Sequence, residues 1–346
     1  MSIKEHYIAY MDVLGYKAFF KEHPDEVQTF HDRIDEAINR TVRQIGLVND
    51  SKVLSQIGNI EIYYRIFSDN ILICLETTKA DNEILRFLAF LNIISIIQRG
   101  FITECGLFLR GGIVRGDISI EDEFVFGQGL IEAVDLESRV SIYPRIVVNR
   151  ELVQGFRDLI EPIVNRVVDI EKALYKKEKV DENDLAFYQK YQFSSIVKFI
   201  LNKLVILWPD QQLFVNYMED LDAGYILGSD LVGSLKQQIR AISDQDYDLV
   251  MSDIHNLDWY LERHKQNIEL QLKAYGHNDD IDLSDIRKAN EIAEKREYVL
   301  RKFIWSMAYH NYICDMKKKF DYKILTKCNC DPRFIKMTIQ VLDDKD

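Results

Sequence analysis

The order of apolar runs and helical patterns is the feature that most constrains the fold of this chain. The run from Tyr7 to Met11 predicts a strand, and apolar residues then recur at helical spacing through "PDEVQTFHDRIDEAINRTVRQIGL". In "IEIYYRIFSDNILICLE" two β-branched and aromatic runs flank the polar residues "SDN", which predicts a hairpin. The chain therefore begins as strand, helix and hairpin.

The same alternation continues downstream. "EILRFLAFLNIISIIQRGFI" is apolar on all sides and predicts a buried helix, whereas "LFLRGGIVRGDISIEDEFVFGQGLIEAVDLESRV" predicts a strand, a glycine-rich turn, a short strand and a helix. We expect an α+β fold with an antiparallel-rich sheet and helices on one face of it. A Rossmann fold is not indicated, since no GxGxxG or Walker-type glycine loop is present.

Beyond about residue 150 the pattern becomes mostly helical. One more hairpin is predicted at about 204–217, where Pro209 and Asp210 lie between two apolar runs. From residue 219 to residue 346 the whole segment is expected to be helical. The sequence thus predicts a sheet-containing domain over 1–218, with its core motifs in 1–150, and a helical carboxy-terminal region over 219–346.

Composition narrows the class of protein. With 346 residues and 47% hydrophobic content the chain can bury a large core, and no run approaches the roughly 20 apolar residues of a membrane helix. The start "MSIKEHY" lacks a secretory pattern, so we expect a cytoplasmic protein without membrane insertion. The five cysteines lack CxxC spacing and support neither a disulfide framework nor a zinc site.

Net charge limits the partners. Lysine and arginine number 44 against 56 acidic residues, which gives a net charge of -12. Such a chain repels long nucleic acids, so no polynucleotide partner is expected. A small anionic ligand held by a few cations, metal ions or backbone amides remains compatible with the charge.

Two acidic residues stand at the ends of predicted strands. Asp12 follows the first strand, and Asp69 lies in the turn of the first hairpin. Taken alone, Asp12 is typical of a helix cap or loop residue, and Asp69 of a turn former. If the hairpin lies beside the first strand, the two acids meet at one edge of the sheet, where paired carboxylates can share one or two Mg²⁺ or Mn²⁺ ions.

Four segments decide between these interpretations. "YMDVLGY", "RIFSDNILI", "LRGGIVRGDI" and "FGQGLIEAVDLES", in this order and spacing, resemble the class III nucleotide cyclase homology domain over about the first 150 residues. Within that superfamily, "EAVDLES", "YPRIVV" and "YVLRKFIWSMAYHN" look most like the bacterial Pycsar cyclases, which make cyclic UMP or cyclic CMP in anti-phage defence.

The resemblance implies roles for the strand end. Asp12 and Asp69 would be the catalytic metal carboxylates, the backbone carbonyl of Val13 would bind the second of two Mg²⁺ or Mn²⁺ ions, and the amides of Val13, Leu14, Gly15 and Tyr16 would cradle a triphosphate. The reaction implied is attack of the ribose 3′-oxygen on the α-phosphorus, with pyrophosphate leaving.

Base selection would fall to the first hairpin. Arg65 stands four residues before Asp69, where purine cyclases carry the residue that reads the base, and strand alternation places it on one face with Tyr63. Arginine can donate to the carbonyls of uracil or cytosine, and a tyrosine can fill the space of a purine. Phe124 falls near the second base-contacting position. Without the resemblance, Arg65 is typical of a strand-edge or ion-pair residue.

Two transition-state residues of purine cyclases have no match in this sequence. Purine cyclases carry an asparagine and an arginine on the helix after the glycine, and ungapped alignment puts Ile131 and Asp135 there. Neither side chain can stabilise a transition state in the same way. Arg139 and Arg145 are the candidate substitutes, and each is equally open to a structural role.

The family also implies partners. Its members form head-to-tail homodimers, so Asp12 and Asp69 would face Arg65 of the partner subunit, and the carboxy-terminal helices, with Trp305 and Tyr309, would stabilise the dimer. The substrate would be UTP in preference to CTP, and the cyclic product would act on a separate effector protein. Two alternatives stay open: a purine (adenylate or guanylate) cyclase, and a degenerate cyclase domain that binds a nucleotide without turnover.

Overall fold

One mixed sheet organises the chain. The computed structural model describes residues 3–16, 61–77, 83–121, 124–191, 204–208, 210–218, 257–276, 286–324 and 333–336, with scattered positions between 21 and 38. The strands in these residues are β1 (Lys4–Leu14), β2 (Ile62–Phe67), β3 (Asn70–Glu76), β4 (Phe108–Ile120), β5 (Val125–Phe126), β6 (Ile146–Val148), β7 (Leu204–Trp208), β8 (Gln212–Val215) and β9 (Arg333–Lys336).

The strand order is β2-β3-β1-β4-β6-β8-β7-β9, with β5 paired to β4 outside this path. Every described pairing is antiparallel except that of β4 with β6. The two predicted hairpins, β2 with β3 and β7 with β8, are both formed. The predicted α+β class with an antiparallel-rich sheet is confirmed.

Six α-helices lie in the described residues. They are α1 (Glu83–Gly100), α2 (Gln128–Arg139), α3 (Arg150–Tyr175), α4 (Glu182–Tyr191), α5 (Leu257–Gly276) and α6 (Ile286–Met316). A π-helical turn, Phe101–Cys105, follows α1, and a 3-10 turn, Phe320–Tyr322, follows α6. The helix predicted after Pro24 and the segment 219–256 lie largely outside the described residues.

The prediction of helices on one face only is wrong, because both faces of the central strand are apolar. Tyr7 and Met11 on β1 pack in one core with residues of α1 and α3, and Ile8 on the opposite face packs with Ala133 of α2. A central strand that is buried on both faces needs a helical layer on each of them.

Glycines allow α2 to lie directly on the sheet. A Cβ on Gly116 of β4 would lie 2.8 Å from the Cα of Gly129, and a Cβ on Gly112 would lie 2.8 Å from the carbonyl oxygen of Ala133. Since carbon atoms do not approach so closely, larger residues would push the helix away. The glycines of "LRGGIVRG" and "FGQG" therefore fix the distance between α2 and β4.

The carboxy-terminal segment shares a core with the sheet. Phe303 and Trp305 of α6 are buried in a cluster with Phe108 of β4 and Phe214 of β8. The expectation that everything after residue 219 is helical is wrong at β9, which pairs with β7. Trp305 and Tyr309, expected to support a dimer, are buried within their own chain. The division of the chain at residue 218 stays a prediction.

Candidate active site

The end of β1 lies beside the turn of the β2–β3 hairpin. Asp12 pairs with Asn70 in the β1–β3 register, and the amide of Val13 donates a 2.8 Å hydrogen bond to the carbonyl oxygen of Asp69. The structure thus brings Asp12 and Asp69 to one edge of the sheet, although β1 continues to Leu14 instead of ending at the acid. Their metal-binding roles stay predictions.

Arg110 organises the carboxylates from the neighbouring strand. It stands opposite Asp12 in the β1–β4 register, and its Nε lies 2.9 Å from Oδ2 of Asp12 and 2.9 Å from Oε1 of Glu137. Glu137 belongs to α2 and is buried. One guanidinium therefore joins the predicted metal carboxylate to a third acid on the covering helix.

Burial and charge shift the ionisation of two groups here. Burial raises the pKa of Glu137; the positive charge of Arg110 lowers it, and the negative charges of Asp12 and Asp69 raise it again. Burial likewise raises the pKa of the Tyr10 hydroxyl, and the charges of Glu137, Asp12 and Asp69 raise it further. Glu137 and Tyr10 are therefore both within electrostatic range of Asp12 and Asp69.

Helix α6 contributes a further charged residue close to Arg110, Asp12 and Glu137. Lys302 is 9% exposed, and the charges of Arg110, Asp12 and Glu137 all affect its pKa, which burial lowers. Tyr298, one turn earlier, contacts Lys302: the ammonium nitrogen lies 4.4 Å from the ring centroid. A segment of the predicted helical region is therefore part of the candidate site.

The predicted base-reading residues lie two strands from Asp12. The Arg65 guanidinium carbon is 5.9 Å from the ring centroids of both Tyr63 and Phe67, so Arg65 shares a face with Tyr63, as predicted, and also with Phe67. Arg65 pairs with Leu72, whose side chain belongs to the α2-side core with Ile8. Strand β3 separates β2 from β1, which sets two strand spacings, about 10 Å, between them.

The predicted amide cradle is partly engaged within the protein. The amide of Val13 binds Asp69, and both Val13 and Leu14 are paired with β4. Gly15 has a positive φ of 85°, a conformation that favours glycine, and the chain turns away from the sheet there. The hydroxyl of Tyr16 lies 3.2 Å from Nε2 of His31. Triphosphate binding by these amides stays a prediction.

The remaining candidates lie apart from the strand end. Phe124 is 64% exposed, and Ile131 is also exposed. Arg139 forms a 3.3 Å ion pair with Asp135 on the surface of α2, with 76% of the arginine side chain exposed. The structure does not bring Phe124 or Arg139 to Asp12, and their substrate-binding roles stay predictions.

Arg145 is wholly buried and engaged. Its guanidinium pairs with Asp210, and its guanidinium carbon lies 5.2 Å from the Tyr143 ring and 5.8 Å from those of Phe214 and Trp305. These contacts bind the loop before β6 to the β7–β8 hairpin and α6. The Arg145 guanidinium thus binds Asp210 inside the folded chain. Its contact with a substrate stays a prediction.

Sequence reasoning missed Arg110, Glu137 and Lys302. Arg110 and Glu137 stand inside two of the motif segments, where the two-residue period of β4 and the helical period of α2 could have placed them near Asp12. Lys302 carries no comparable signal, because only the tertiary packing of α6 brings it to this edge.

The available donors suit a hard divalent ion shared with a ligand. Within the described ranges, no three His, Cys, Asp or Glu side chains form a complete metal-binding group. Two carboxylates and a backbone carbonyl instead match Mg²⁺, which is commonly held by one or two carboxylates together with substrate phosphates. Asp12 offers Oδ1 for this, since Arg110 engages Oδ2.

Among the helices in the described residues, none combines the length and the apolar character that a membrane-spanning helix requires.

Comparisons with known proteins return cyclases among solved structures. No protein-family model matches the chain, and no curated protein matches it significantly. The crystal structure of the adenylyl cyclase CyaB from P. aeruginosa aligns at 15% identity and a TM-score of 0.33, over 45% of this chain and 82% of its own.

Two further structures align at similar values. The guanylyl cyclase Cya2 shows 13% identity and a TM-score of 0.27, over 44% of this chain and 78% of its own. A class III adenylyl cyclase-like ATP-binding protein from Pseudomonas aeruginosa shows 11% identity and a TM-score of 0.27, over 42% of this chain and 33% of its own. At these values the likeness is distant and does not assign an activity to the chain.

Proposed function

We propose that this protein is a nucleotide cyclase that converts a pyrimidine triphosphate, UTP in preference to CTP, to the 3′,5′-cyclic monophosphate and pyrophosphate. The observation that supports it most is the meeting of Asp12 and Asp69 at the end of β1, through the 2.8 Å hydrogen bond from the Val13 amide to the Asp69 carbonyl. Paired carboxylates at a strand end suit phosphoryl transfer, which depends on positioning and charge neutralisation.

The chemistry needs no nucleophile from the protein. The ribose 3′-hydroxyl loses its proton to water as its oxygen forms a bond to the α-phosphorus, the bond from that phosphorus to the bridging oxygen breaks, and pyrophosphate leaves. Asp12, Asp69 and the Val13 carbonyl would hold two Mg²⁺ or Mn²⁺ ions, which would supply activation of the hydroxyl and charge neutralisation on the leaving group. Arg110 orients the Asp12 carboxylate by its 2.9 Å contact to Oδ2.

Arg65 and Tyr63 support a pyrimidine substrate. A guanidinium flanked by two aromatic rings on a strand face can donate to carbonyl O2 or O4 of uracil, while Tyr63 occupies room that a purine would need. UTP and CTP differ at one carbonyl and one amino group, and arginine can pair with either base. The signalling role in anti-phage defence, with the product acting on a separate effector, rests on the resemblance to Pycsar cyclases.

The proposal includes a head-to-tail homodimer. In such a dimer Asp12 and Asp69 of one chain face Arg65 of the partner subunit. Exposed apolar residues support an interface of this kind: Phe124 and Phe126 lie in and beside β5, and Ile131 lies in the first turn of α2.

Pyrophosphate release tests the proposal. Wild-type protein given a pyrimidine triphosphate should release pyrophosphate only when Mg²⁺ or Mn²⁺ is present. Asp69→Asn should abolish release while the circular dichroism spectrum is unchanged, because the amide keeps the shape of the side chain and removes its charge. Full turnover by Asp69→Asn would exclude the two-metal assignment.

A second candidate is a nucleotide-binding module without turnover. The observation that favours it is the exposure of Ile131 and Asp135 on α2, where neither can replace the asparagine and arginine of purine cyclases. This candidate predicts triphosphate binding without pyrophosphate release under any metal condition.

A further inference from the structure

Three aromatic contacts hold α6 against the end of the sheet at which β4 begins. Phe303 meets Phe108 with ring centroids 5.6 Å apart, and Trp305 contacts both Tyr143 at 5.8 Å and Phe214 at 5.3 Å. Phe108 begins β4, two residues before Arg110. The packing therefore fixes this turn of α6 next to the strand that carries Arg110.

Lys302 precedes Phe303 and is almost fully covered. Lys302 is 9% exposed, and among the described residues no carboxylate oxygen lies within ion-pair distance of its ammonium group. The ammonium nitrogen lies 4.4 Å from the centroid of the Tyr298 ring. Burial of an ammonium group without a direct counter-ion is costly, so such groups usually serve a ligand or shift their pKa.

The pKa of Lys302 is consistent with its position next to the strand that carries Arg110. Burial lowers its pKa and the charge of Arg110 lowers it further, whereas Asp12 and Glu137 raise it. A counter-ion role for Glu137 explains the lysine poorly, because Glu137 already lies 2.9 Å from Arg110. The ammonium group is thus within electrostatic range of Asp12 and Glu137 but forms no direct ion pair with a carboxylate of the described residues.

We propose that Lys302 binds phosphate oxygens of a polyphosphate ligand at the Asp12 site, so that α6 supplies a cation to this site in cis. An ammonium group offers three donors and a compact charge, which suits phosphate oxygens. Naming the ligand as the triphosphate of a nucleotide rests on the proposed function; binding of a polyphosphate as such does not.

The experiment measures binding of inorganic tripolyphosphate with Mg²⁺ to the full-length protein by calorimetry. Lys302→Met should raise the dissociation constant about tenfold to a hundredfold, the range for loss of a charge-assisted hydrogen bond. Lys302→Arg keeps the charge and should stay within about threefold of wild type. The matched control is Lys295→Met, since Lys295 is exposed on the same helix and should bind as wild type does.

The outcomes separate the two proposals. Wild-type affinity in Lys302→Met, equal weakening in Lys302→Met and Lys302→Arg, or no binding by the wild type would each overturn the inference. If tripolyphosphate binding depends on Lys302 but no triphosphate is cyclised, the inference stands and the cyclase proposal fails. If pyrimidine triphosphates are cyclised and Lys302→Met keeps both the affinity and the KM, the cyclase proposal stands and this inference fails.

Discussion

Arg110 joins Asp12 to Glu137, with its Nε 2.9 Å from a carboxylate oxygen of each. Because the three side chains are mostly covered, their charges are poorly screened by solvent and depend on one another. The guanidinium therefore offsets the repulsion between the two acids.

Arg110→Met is therefore expected to destabilise the protein. Loss of the shared cation leaves two acids facing each other, and the free energy of unfolding should fall by about 1–2 kcal/mol, less than for a fully buried pair. The measurement is urea unfolding. Arg139→Met is the control, since 76% of the Arg139 side chain is exposed, and it should change stability by less than about 0.5 kcal/mol. Equal effects of the two variants would contradict the central place of Arg110.

Arg65→Ala is expected to alter base selection more than metal binding. Removal of the guanidinium that lies between Tyr63 and Phe67 takes away the donors for the pyrimidine carbonyls. The kcat/KM for UTP should fall by about tenfold or more, while the rates with ATP and GTP change little. The measurement compares all four triphosphates.

Mn²⁺ binding followed by electron paramagnetic resonance is the control for Arg65→Ala. Its affinity should equal that of the wild type, because the groups proposed to hold the ions are Asp12, Asp69 and the Val13 carbonyl, and Arg65 is not among them. Unchanged relative rates across the four triphosphates would exclude the role given to Arg65.

Gly129→Ala is expected to be strongly destabilising. Its Cβ would lie 2.9 Å from the carbonyl carbon of Gly116, so α2 would have to move off the sheet. The expected loss is about 1–3 kcal/mol in the free energy of unfolding. Gly155→Ala is the matched control, because nothing lies within 4 Å of its Cβ position in α3, and it should stabilise the helix by about 0.5–1 kcal/mol. A loss of stability in both variants would contradict this account of α2 packing.

The hydrogen bonds of two buried histidines fix their tautomers. Nε2 of His310 donates to the carbonyl of Tyr322 at 2.9 Å, so Nδ1 of His310 accepts from Nδ1 of His264 at 3.1 Å. Nε2 of His264 then accepts from the hydroxyl of Tyr217 at 2.9 Å. The bond between the two Nδ1 atoms needs one donor and one acceptor, so it cannot be kept when both imidazoles are protonated.

Acid is therefore expected to destabilise the fold through these histidines. Burial lowers the pKa of His310 to about 4 and that of His264 well below its ordinary value. A lowered pKa means that the stabilisation is fully present above pH 6.5 and is lost as pH falls toward about 4. The free energy of unfolding, measured by urea between pH 7 and pH 5, should fall, and it should fall less in His310→Leu. The same slope in both proteins would contradict this assignment.

The meeting of Asp12 and Asp69 could be predicted from the sequence because it is local. A strand followed by an acid, and a hairpin with an acid in its turn, need only one correct pairing to come together, and that pairing is the β1–β3 register. The two-sided burial of the sheet was open to the same reasoning, since Tyr7 and Ile8 are adjacent apolar residues on opposite faces of β1.

Lys302 could not be predicted in this way. It is brought to β4 by the ring contacts of Phe303 and Trp305, and helical periodicity alone does not tell which element a helix covers. β9 was missed for a related reason: Arg333 to Lys336 is a short segment whose strand structure comes from pairing with β7.

Identification of the reaction products by mass tests whether this protein is a pyrimidine nucleotide cyclase. The full-length protein is incubated with ATP, GTP, CTP or UTP and Mn²⁺, and the nucleotide products are identified by mass, with Asp69→Asn treated in parallel. We predict that the wild type forms pyrophosphate and a cyclic pyrimidine monophosphate, with more cyclic UMP than cyclic CMP, and that Asp69→Asn forms no product. No cyclic nucleotide from any triphosphate, or the same product from Asp69→Asn, would contradict this prediction.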